Sequence, residues 1–579
     1  MKQFPATLDA FAGQGFGLRQ VQPTSAPGAS RRSLTNQQND IVHARGNLKI
    51  NAVAGSGKTT TLVEYARHQQ QAGVRSGSGS GRSNPRGLYL AFNKTVRQAA
   101  VGAFQSAGVG GVDVHTAHSL AYRHVIGKTG IQLLPAGQYP AYELAAMLKT
   151  QTSVTSCLPP TRRAAPWLAI AAHSLRLMAW FCNRDTKTIG QLNYEDLLRY
   201  DMTAARQFAA YFLPVINAGA TWLWQQMEQG KLKVTHDFCL KKFQLSQPHL
   251  DYDYILFDEG QDASPTMLDV FSRQTHATRV IVGDTHQQIY GFRHAVNSLD
   301  QVDYAAYELS RSFRFGPPVA ELARQVLALK ELVSPFLGEN KPYTPQPIEG
   351  LGKHEPPGKE SNGVVIGRTN LELLGAAINA LCVEESIGTL YFEGDLHSYT
   401  FMDNGVGLLD MLHLYHEEHH RIRHPLLKNM DSLDELETYI DQTGDGQMKT
   451  ALTLVLLYKN DLPGYLQQIQ EAHLPAHQRA WTDVTFSTVH RCKGLEYDHV
   501  QLCDDFIGRE KLATSLDHLN TQQQCEESNL PVPVPVKPSD VIEEINMLYV
   551  AITRTKGQVD LPDSQYYLRW PTPQAAGVA

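Results

Sequence analysis

Ala54-Gly55-Ser56-Gly57-Lys58-Thr59-Thr60 sets two glycines, a lysine and two threonine hydroxyls within seven consecutive residues. Glycines let a backbone curl until several N–H groups point inward at phosphate oxygens, and a helix starting there adds partial positive charge. Lys58 then supplies a point charge for β- and γ-phosphates, and the Thr59 hydroxyl is suited to Mg²⁺. The strict G-x-x-x-x-G-K-[ST] pattern is broken, because position 52 is Ala. A plain glycine-rich turn before a helix is the alternative; the GKT triplet in a strand–loop–helix context argues against it. Such a cradle needs a carboxylate site opposite. Residues 252–262 (YDYILFDEGQD) offer an apolar strand ending in Asp258-Glu259. Asp258 would hold the Mg²⁺ through its water shell, and Glu259 would polarise an attacking water. The two halves are far apart in sequence, so something is inserted between them.

The elements that must hold these groups alternate. Residues 47–53, 87–92 (GLYLAF), 252–257, 279–282 (RVIV), 363–367, 484–487 and 499–503 read as short buried strands, and 58–70 as the first helix. Buried strands alternating with helices predict an α/β fold with parallel sheets. Stretches 140–225 and 408–475 read as mostly helical insertions. Residues 1–33 read as a flexible leader, in which Phe4, Leu8 and Phe11 could dock weakly. Residues 75–86 (RSGSGSGRSNPR) and 355–362 read as loops, 530–540 (LPVPVPVKPSD) as an extended connector, and the end after 567 as patternless.

Composition bounds the rest. At 579 residues, the chain has room for about four domains. Lys+Arg 52 against Asp+Glu 58 gives net charge -6, which excludes a uniformly basic wrapper of nucleic acid and leaves room for a local channel. Seven cysteines (157, 182, 239, 382, 492, 503 and 525) without C-x-x-C pairing argue against a zinc ribbon or disulfide scaffold and for a reducing compartment. No apolar run is long enough to span a membrane, and no secretory signal is visible. An intracellular protein is expected.

Further motifs follow in order: Leu34-Thr35-Asn36-Gln37-Gln38, Ala91-Phe92-Asn93-Lys94, Thr116-Ala117-His118-Ser119, 283–293 (GDTHQQIYGFR), 309–317 (LSRSFRFGP), 488–496 (TVHRCKGLE) and 543–556 (EEINMLYVAITRTK). With the cradle and the acidic pair, they resemble the UvrD/Rep-like branch of superfamily 1 DNA helicases, most closely its F-box DNA helicase group, over roughly residues 34–560. The resemblance implies Gln38 on the adenine edge, Phe313 stacked on adenine, and Glu496 on the ribose. It implies Gln287 as γ-phosphate sensor, with Arg314 and Arg554 as arginine fingers reaching across a cleft. Asn93, Lys94, His118, Tyr290, Phe292, Thr488 and His490 would face single-stranded DNA. Two departures are Gly260, where Ala is usual, and Phe292, where Trp is commoner. Gly260 should be tolerated; Phe292 keeps a stacking face of smaller area. No F-box segment is evident in the leader, so ubiquitin-ligase recruitment is not implied.

The roles also make physical sense without the resemblance. Phosphoryl transfer needs charge stabilisation around the γ-phosphate, and guanidinium forks contact two oxygens at once. Aromatic rings right after a nucleotide-sensing turn would couple nucleotide state to base stacking. The lesser alternative is that either ring, Tyr290 or Phe292, simply fills core. Lys94, Arg97, Arg123 and Arg293 are either phosphate contacts or solvated charges.

The architecture expected is two RecA-like P-loop motor domains, each with an inserted, mainly helical accessory domain. The first covers 34–115 and 200–300 with insertion 116–199; the second covers 301–385 and 480–579 with insertion 386–479. The activity expected is ATP- and Mg²⁺-dependent translocation on single-stranded DNA with unwinding, in DNA repair or recombination. Polarity 3′→5′ is implied by the resemblance alone. The alternatives are removal of recombinase filaments with little unwinding and a non-motor ATP-dependent DNA-binding switch. Expected partners are single-stranded DNA and single-strand/duplex junctions, then recombinase or replication proteins. A monomer is expected, in the cytoplasm and nucleoid or in the nucleus according to the source. His416-Glu417-Glu418-His419-His420 matches H-E-x-x-H, which on one helix would make a zinc protease site through His416, Glu417 and His420. Its charged surroundings, 413–424, instead predict a solvated accessory helix. Trp222 and Trp224 are expected in packing, Cys492 and Cys503 as apolar fillers. No fused nuclease is expected after residue 556.

Overall fold

The computed structural model describes residues 33–565 and 568, apart from 77–84, 130, 136, 160–164, 200, 202, 339–342, 344–345, 353–362, 403–406, 529–531 and 533–534. The expected leader up to residue 32, the 355–362 loop, most of the 75–86 loop, part of the 530–540 connector and the end from 569 onward lie outside the described residues.

The first sheet is built from β1 (Leu48–Ala52), β2 (Gly87–Ala91), β3 (Val112–Thr116), β4 (Tyr254–Phe257), β5 (Thr278–Gly283) and β6 (Ala305–Leu309), in the order β3-β2-β4-β5-β1-β6. All neighbours are parallel, with Leu48 opposite both Val280 and Ala305. Every residue of β4 is buried because both sheet faces are covered. Side chains alternate. Tyr254 and Leu256 join Ile50, Leu62, Phe104 and Val280 on one face. Ile255 and Phe257 join Leu88, Leu90 and Ile281 on the other, where they meet the helical insertion. That insertion runs from Ala117–Thr129 to His236–Leu245 and contains the apolar helices Trp167–Asn183 and Thr203–Glu228. Trp224 packs edge-on to Phe181 at 5.1 Å and tilted on Phe238 at 4.6 Å; Trp222 lies against the same core.

A short ribbon, β7 (Arg311–Ser312) with β8 (Glu349–Gly350), precedes the second sheet. The latter comprises β9 (Gly363–Gly367), β10 (Leu390–Phe392), β11 (Val484–Thr488), β12 (Tyr497–Leu502) and β13 (Thr555–Asp560), ordered β10-β11-β9-β12-β13 and again parallel. Helices Leu408–Tyr415, Leu433–Thr443, Gly446–Tyr458 and Leu462–Ala472 form its insertion and share a core with Phe392 and Phe486. Two parallel α/β lobes result. Among the described residues, no helix is long and apolar enough to cross a membrane.

Four expectations need correction. The first insertion does not end at residue 199 but runs on to Leu245, because Thr203–Glu228 shares a core with Trp167–Asn183. β6 lies past residue 300, the expected end of the first lobe, because Ala305–Leu309 completes the sheet beside β1. β10 lies inside the expected 386–479 insertion yet pairs with β11. The fourth concerns the H-E-x-x-H match. The helix Leu408–Tyr415 stops before it, Glu417 has φ 59, and His419–Arg421 forms a separate 3-10 turn. A left-handed residue between them breaks the i, i+4 register, so His416 and His420 do not share a helix face and the expected solvated helix is absent. Among the described residues, no cluster of three or more His, Cys, Asp or Glu could hold a metal ion.

Candidate nucleotide and nucleic-acid site

In the first lobe the functional candidates gather at the carboxyl ends of parallel strands, where open α/β sheets bind ligands. Ala54–Thr60 follows β1, Asn93-Lys94 follows β2, His118 follows β3, Asp258-Glu259 follows β4, and 284–293 follows β5. From the second lobe, 488–493 closes β11 and Arg554 precedes β13.

Gly55 and Gly57 have φ +74 and +81, the left-handed geometry that curls the cradle. A Cβ on Gly55 would lie 2.5 Å from Cβ of Arg314, and one on Gly57 would lie 3.0 Å from Nε2 of Gln38. Gly55 is therefore also what lets the second lobe approach, and its carbonyl accepts from the Phe313 N–H at 2.9 Å. Gln38 sits there through a capping box: Thr35 Oγ1 accepts from the Gln38 N–H at 3.2 Å, and Gln38 Oε1 accepts from the Thr35 N–H at 3.0 Å. The Gln38 amide donates to the Ser56 carbonyl at 3.4 Å. Ser56 Oγ is buried in the cradle without a hydrogen-bond partner. Thr60 is exposed four residues further on. Phe313 is 50% exposed beside Gly57, with a ring face open for stacking.

Lys58 Nζ pairs with Glu259 at 3.5 Å. Burial lowers the Lys58 pKa, but Glu259, Asp284 and Asp258 together raise it above the usual lysine value. Burial also acts on both acids. Glu259 is nonetheless held below the carboxylate range by Lys58 and Lys493, whereas Asp258 is raised by burial and by Glu259 beside it. Glu259 has φ 56, a strained setting for a non-glycine residue, and Gln261 Nε2 donates to its carboxylate at 2.6 Å. The Tyr89 hydroxyl donates to Asp258 and also bonds Thr59. Thr59 and Asp258, the expected Mg²⁺ ligands, thus converge on one point, and buried hard oxygens fit a hard cation. Gly260 is more than tolerated: a Cβ there would lie 2.6 Å from Cγ1 of Ile281.

The opposing wall belongs to the second lobe. Arg314 Nε bonds Glu496 at 2.8 Å and its Nη1 donates to the Thr553 carbonyl at 2.9 Å. Glu496, expected on the ribose, here holds Arg314. Arg554 is fully buried; it donates to the Val550 and Leu495 carbonyls at 3.0 and 3.3 Å, and its Nη2 lies 3.5 Å from Gln287 Oε1. Val53, Ala54 and Ile289 of the first lobe pack into the core formed by Phe315, Val319 and Tyr549 of the second.

Sequence reasoning missed several groups at this seam. The Tyr549 hydroxyl accepts from the Ala54 N–H at 3.4 Å and donates to Asp284 at 3.2 Å. Asp284 also accepts from Gln287 Nε2 at 2.7 Å. Lys493 pairs with buried Asp262, donates to the Gln287 carbonyl at 2.6 Å and lies 4.8 Å from the Tyr290 ring centre. Asp284, Lys493 and Tyr549 all lie inside stretches whose spacing already marked them; Tyr89 had no local signal.

Around the corner, Phe92 stacks on Tyr290 at 5.4 Å, and His490 packs against Tyr290 at 5.7 Å and Phe292 at 5.4 Å. Phe292 is 64% exposed. The Arg293 guanidinium lies beside both Tyr290 and Phe292, at 5.8 and 5.6 Å. His490 is lowered to about 4 by burial, so it stays neutral there. Asn93 caps the helix Lys94–Ser106, leaving Lys94 exposed on the first turn. His118 faces Asp237 at 3.3 Å. Arg97 donates to the Val114 carbonyl, and Arg123 lies against His115. Thr488 is 6% exposed at the inward end of β11 and presents no surface.

Two family models match this chain: the UvrD/REP helicase N-terminal domain over residues 189–303 and the UvrD-like helicase C-terminal domain over 412–559. Over these two stretches the chain is similar to UvrD-like helicases. It is 28% identical over 563 residues to F-box DNA helicase protein 1 of Schizosaccharomyces pombe, covering 92% of this chain and 58% of that relative. It is also 28% identical over 549 residues to F-box DNA helicase 1 of Gallus gallus, covering 91% of this chain and 49% of that relative. The chain therefore spans about half the length of the curated relatives it matches. The two parallel sheets are consistent with two RecA-like motor domains.

Proposed function

We propose that this chain is an ATP-hydrolysing, single-stranded DNA translocase that unwinds duplex DNA with 3′→5′ polarity, in repair or recombination. One stretch carries the reading. Residues 284–293 hold Gln287 on the side of Lys58 and Arg554, and Tyr290, Phe292 and Arg293 on the aromatic side. Movement of the second lobe against the nucleotide reaches Phe292 through a few covalent links and through Lys493, which bonds both Asp262 and this stretch. The printed names of the two relatives, both DNA helicases, support the same reading.

In this reading Lys58 and the cradle N–H groups bind the phosphates, Glu259 orients and deprotonates the attacking water, and Arg314 and Arg554 stabilise charge on the transferring group. Gln38 and Phe313 hold adenine, and Glu496 takes the ribose once it exchanges Arg314 for nucleotide. Mg²⁺, held by Thr59 and Asp258, would neutralise charge between the β- and γ-phosphates. Asn93, Lys94, His118, Arg293 and His490 line the path of the strand, whose bases stack on Tyr290 and Phe292.

The deciding measurement is ATPase rate with and without single-stranded DNA, followed by strand displacement on duplexes tailed at either end. Stimulation and unwinding from a 3′ tail are expected. A rate that stays flat on adding DNA would leave only a binding switch, and stimulation without displacement would favour filament removal. Phe292→Ala is expected to weaken single-stranded DNA binding roughly tenfold or more, since each base–aromatic stack is worth about 1–3 kcal/mol. Basal ATP turnover without DNA should change little, because the ring is on the solvent side of its loop; titration with a labelled oligonucleotide checks this.

A further inference from the structure

His286 stands between Asp284 and Gln287, in the turn after β5, and its ring reaches the second lobe. Its Nδ1 lies 2.9 Å from Nζ of Lys330, the first residue of the short helix Lys330–Val333. Lys330 is 3% exposed and His286 is likewise buried. No carboxylate among the described residues forms an ion pair with this ammonium; Asp284 is the acid whose charge acts on it. The other groups around the pair are Tyr549, edge-on to His286 at 5.9 Å, and Tyr343 at 6.1 Å, with Glu331 acting on Tyr343. Burial and the Lys330 charge push His286 well below the usual histidine value, so it accepts at Nδ1 as a neutral ring.

A buried cation with one neutral hydrogen-bond partner is costly, and its position makes the cost informative. The pair joins the two lobes directly behind the turn whose Asp284 meets Tyr549 and whose Gln287 meets Arg554. We propose that Lys330 and His286 form a proton-releasing strut between the lobes, positioning the Asp284–Gln287 turn and tightening closure on nucleotide as pH rises.

The sign follows from burial. In an open, hydrated cleft Lys330 would titrate near the ordinary lysine value, about 10.4. In the sealed seam burial pulls it down to about 7, with Asp284 opposing. Between those limits the closed form holds fewer protons than the open form. Closure is therefore favoured progressively as pH rises through that window, by up to about tenfold per pH unit for one proton. Below about 7 both forms keep the proton and the dependence vanishes. Lys58 does not contribute, because its acidic neighbours hold it above the usual lysine value.

This inference rests on the nucleotide-site reading, and the test separates the two. Affinity of the full chain for a non-hydrolysable ATP analogue with Mg²⁺ would be measured from about pH 7.5 to about 9. Wild type should bind several-fold tighter per unit; Lys330→Met, which keeps the packing and loses the proton, should bind with no such slope. His286→Asn retains the lysine, so it should bind more weakly overall with the slope intact. Measurable binding that is flat with pH in wild type, or an equal slope in Lys330→Met, overturns the strut and leaves the nucleotide site standing. Absence of binding at every pH overturns both. If Lys330→Met does not fold, calorimetry of wild type in buffers of different ionisation heat decides. Release of about one proton on binding near pH 8.5 is expected, and release of none refutes the strut.

Discussion

Lys58→Ala is expected to lower ATP turnover by about 10³-fold or more while single-stranded DNA binding stays within a few-fold of wild type. Lys58 is the cation at the floor of the cradle, and in the present structure it neutralises Glu259 at 3.5 Å. Its removal costs twice. The phosphates lose their point charge, and Asp258 and Glu259 are left adjacent without a shared counter-ion, which drives a proton onto one of them. A carboxyl that has taken up a proton can neither hold a cation nor orient water. The aromatic face is spared, because Phe92, Tyr290, Phe292 and His490 pack on one another rather than on Lys58. Turnover and oligonucleotide affinity measured on one preparation check this, and near-normal DNA-stimulated turnover in the variant would remove Lys58 from the site.

That the cradle and the acidic pair could be read from sequence follows from their being local. Gly55, Gly57 and Lys58 act within one turn, and Asp258 and Glu259 end a run whose burial on both faces shows in its composition. Tyr89 and Lys330 differ in kind. Each acts on a group far along the chain, Tyr89 on Asp258 169 residues away and Lys330 on His286 44 residues away, and only sheet order and lobe docking bring them together. Boundaries failed for a related reason. β6 is mostly exposed and β10 is only three residues long, so each is recognisable by what it pairs with, Leu48–Ala52 and Val484–Thr488, rather than by an apolar run of its own. The H-E-x-x-H match failed because one residue at positive φ, Glu417, overrides a five-residue pattern.

Arg314→Ala is expected to cut turnover by on the order of 10³-fold with little loss of thermal stability, whereas Arg554→Ala should lose turnover and stability together. The difference lies in what each guanidinium already supports. Arg314 crosses the seam edge, and two of its bonds go to partly exposed Glu496 and to a single carbonyl. Water can replace both. Arg554 is sealed in the second lobe, where it satisfies the Val550 and Leu495 carbonyls as well as reaching Gln287. Deleting it leaves buried carbonyl acceptors unpaired, at a cost of about 1–3 kcal/mol each, and opens a cavity in the core around Tyr549. Steady-state turnover beside thermal melting separates the cases. A melting temperature that falls as far in Arg314→Ala as in Arg554→Ala would show that Arg314 braces the seam instead of waiting at it. Wild-type turnover in Arg314→Ala would show that the fork does not reach the phosphates when the lobes close.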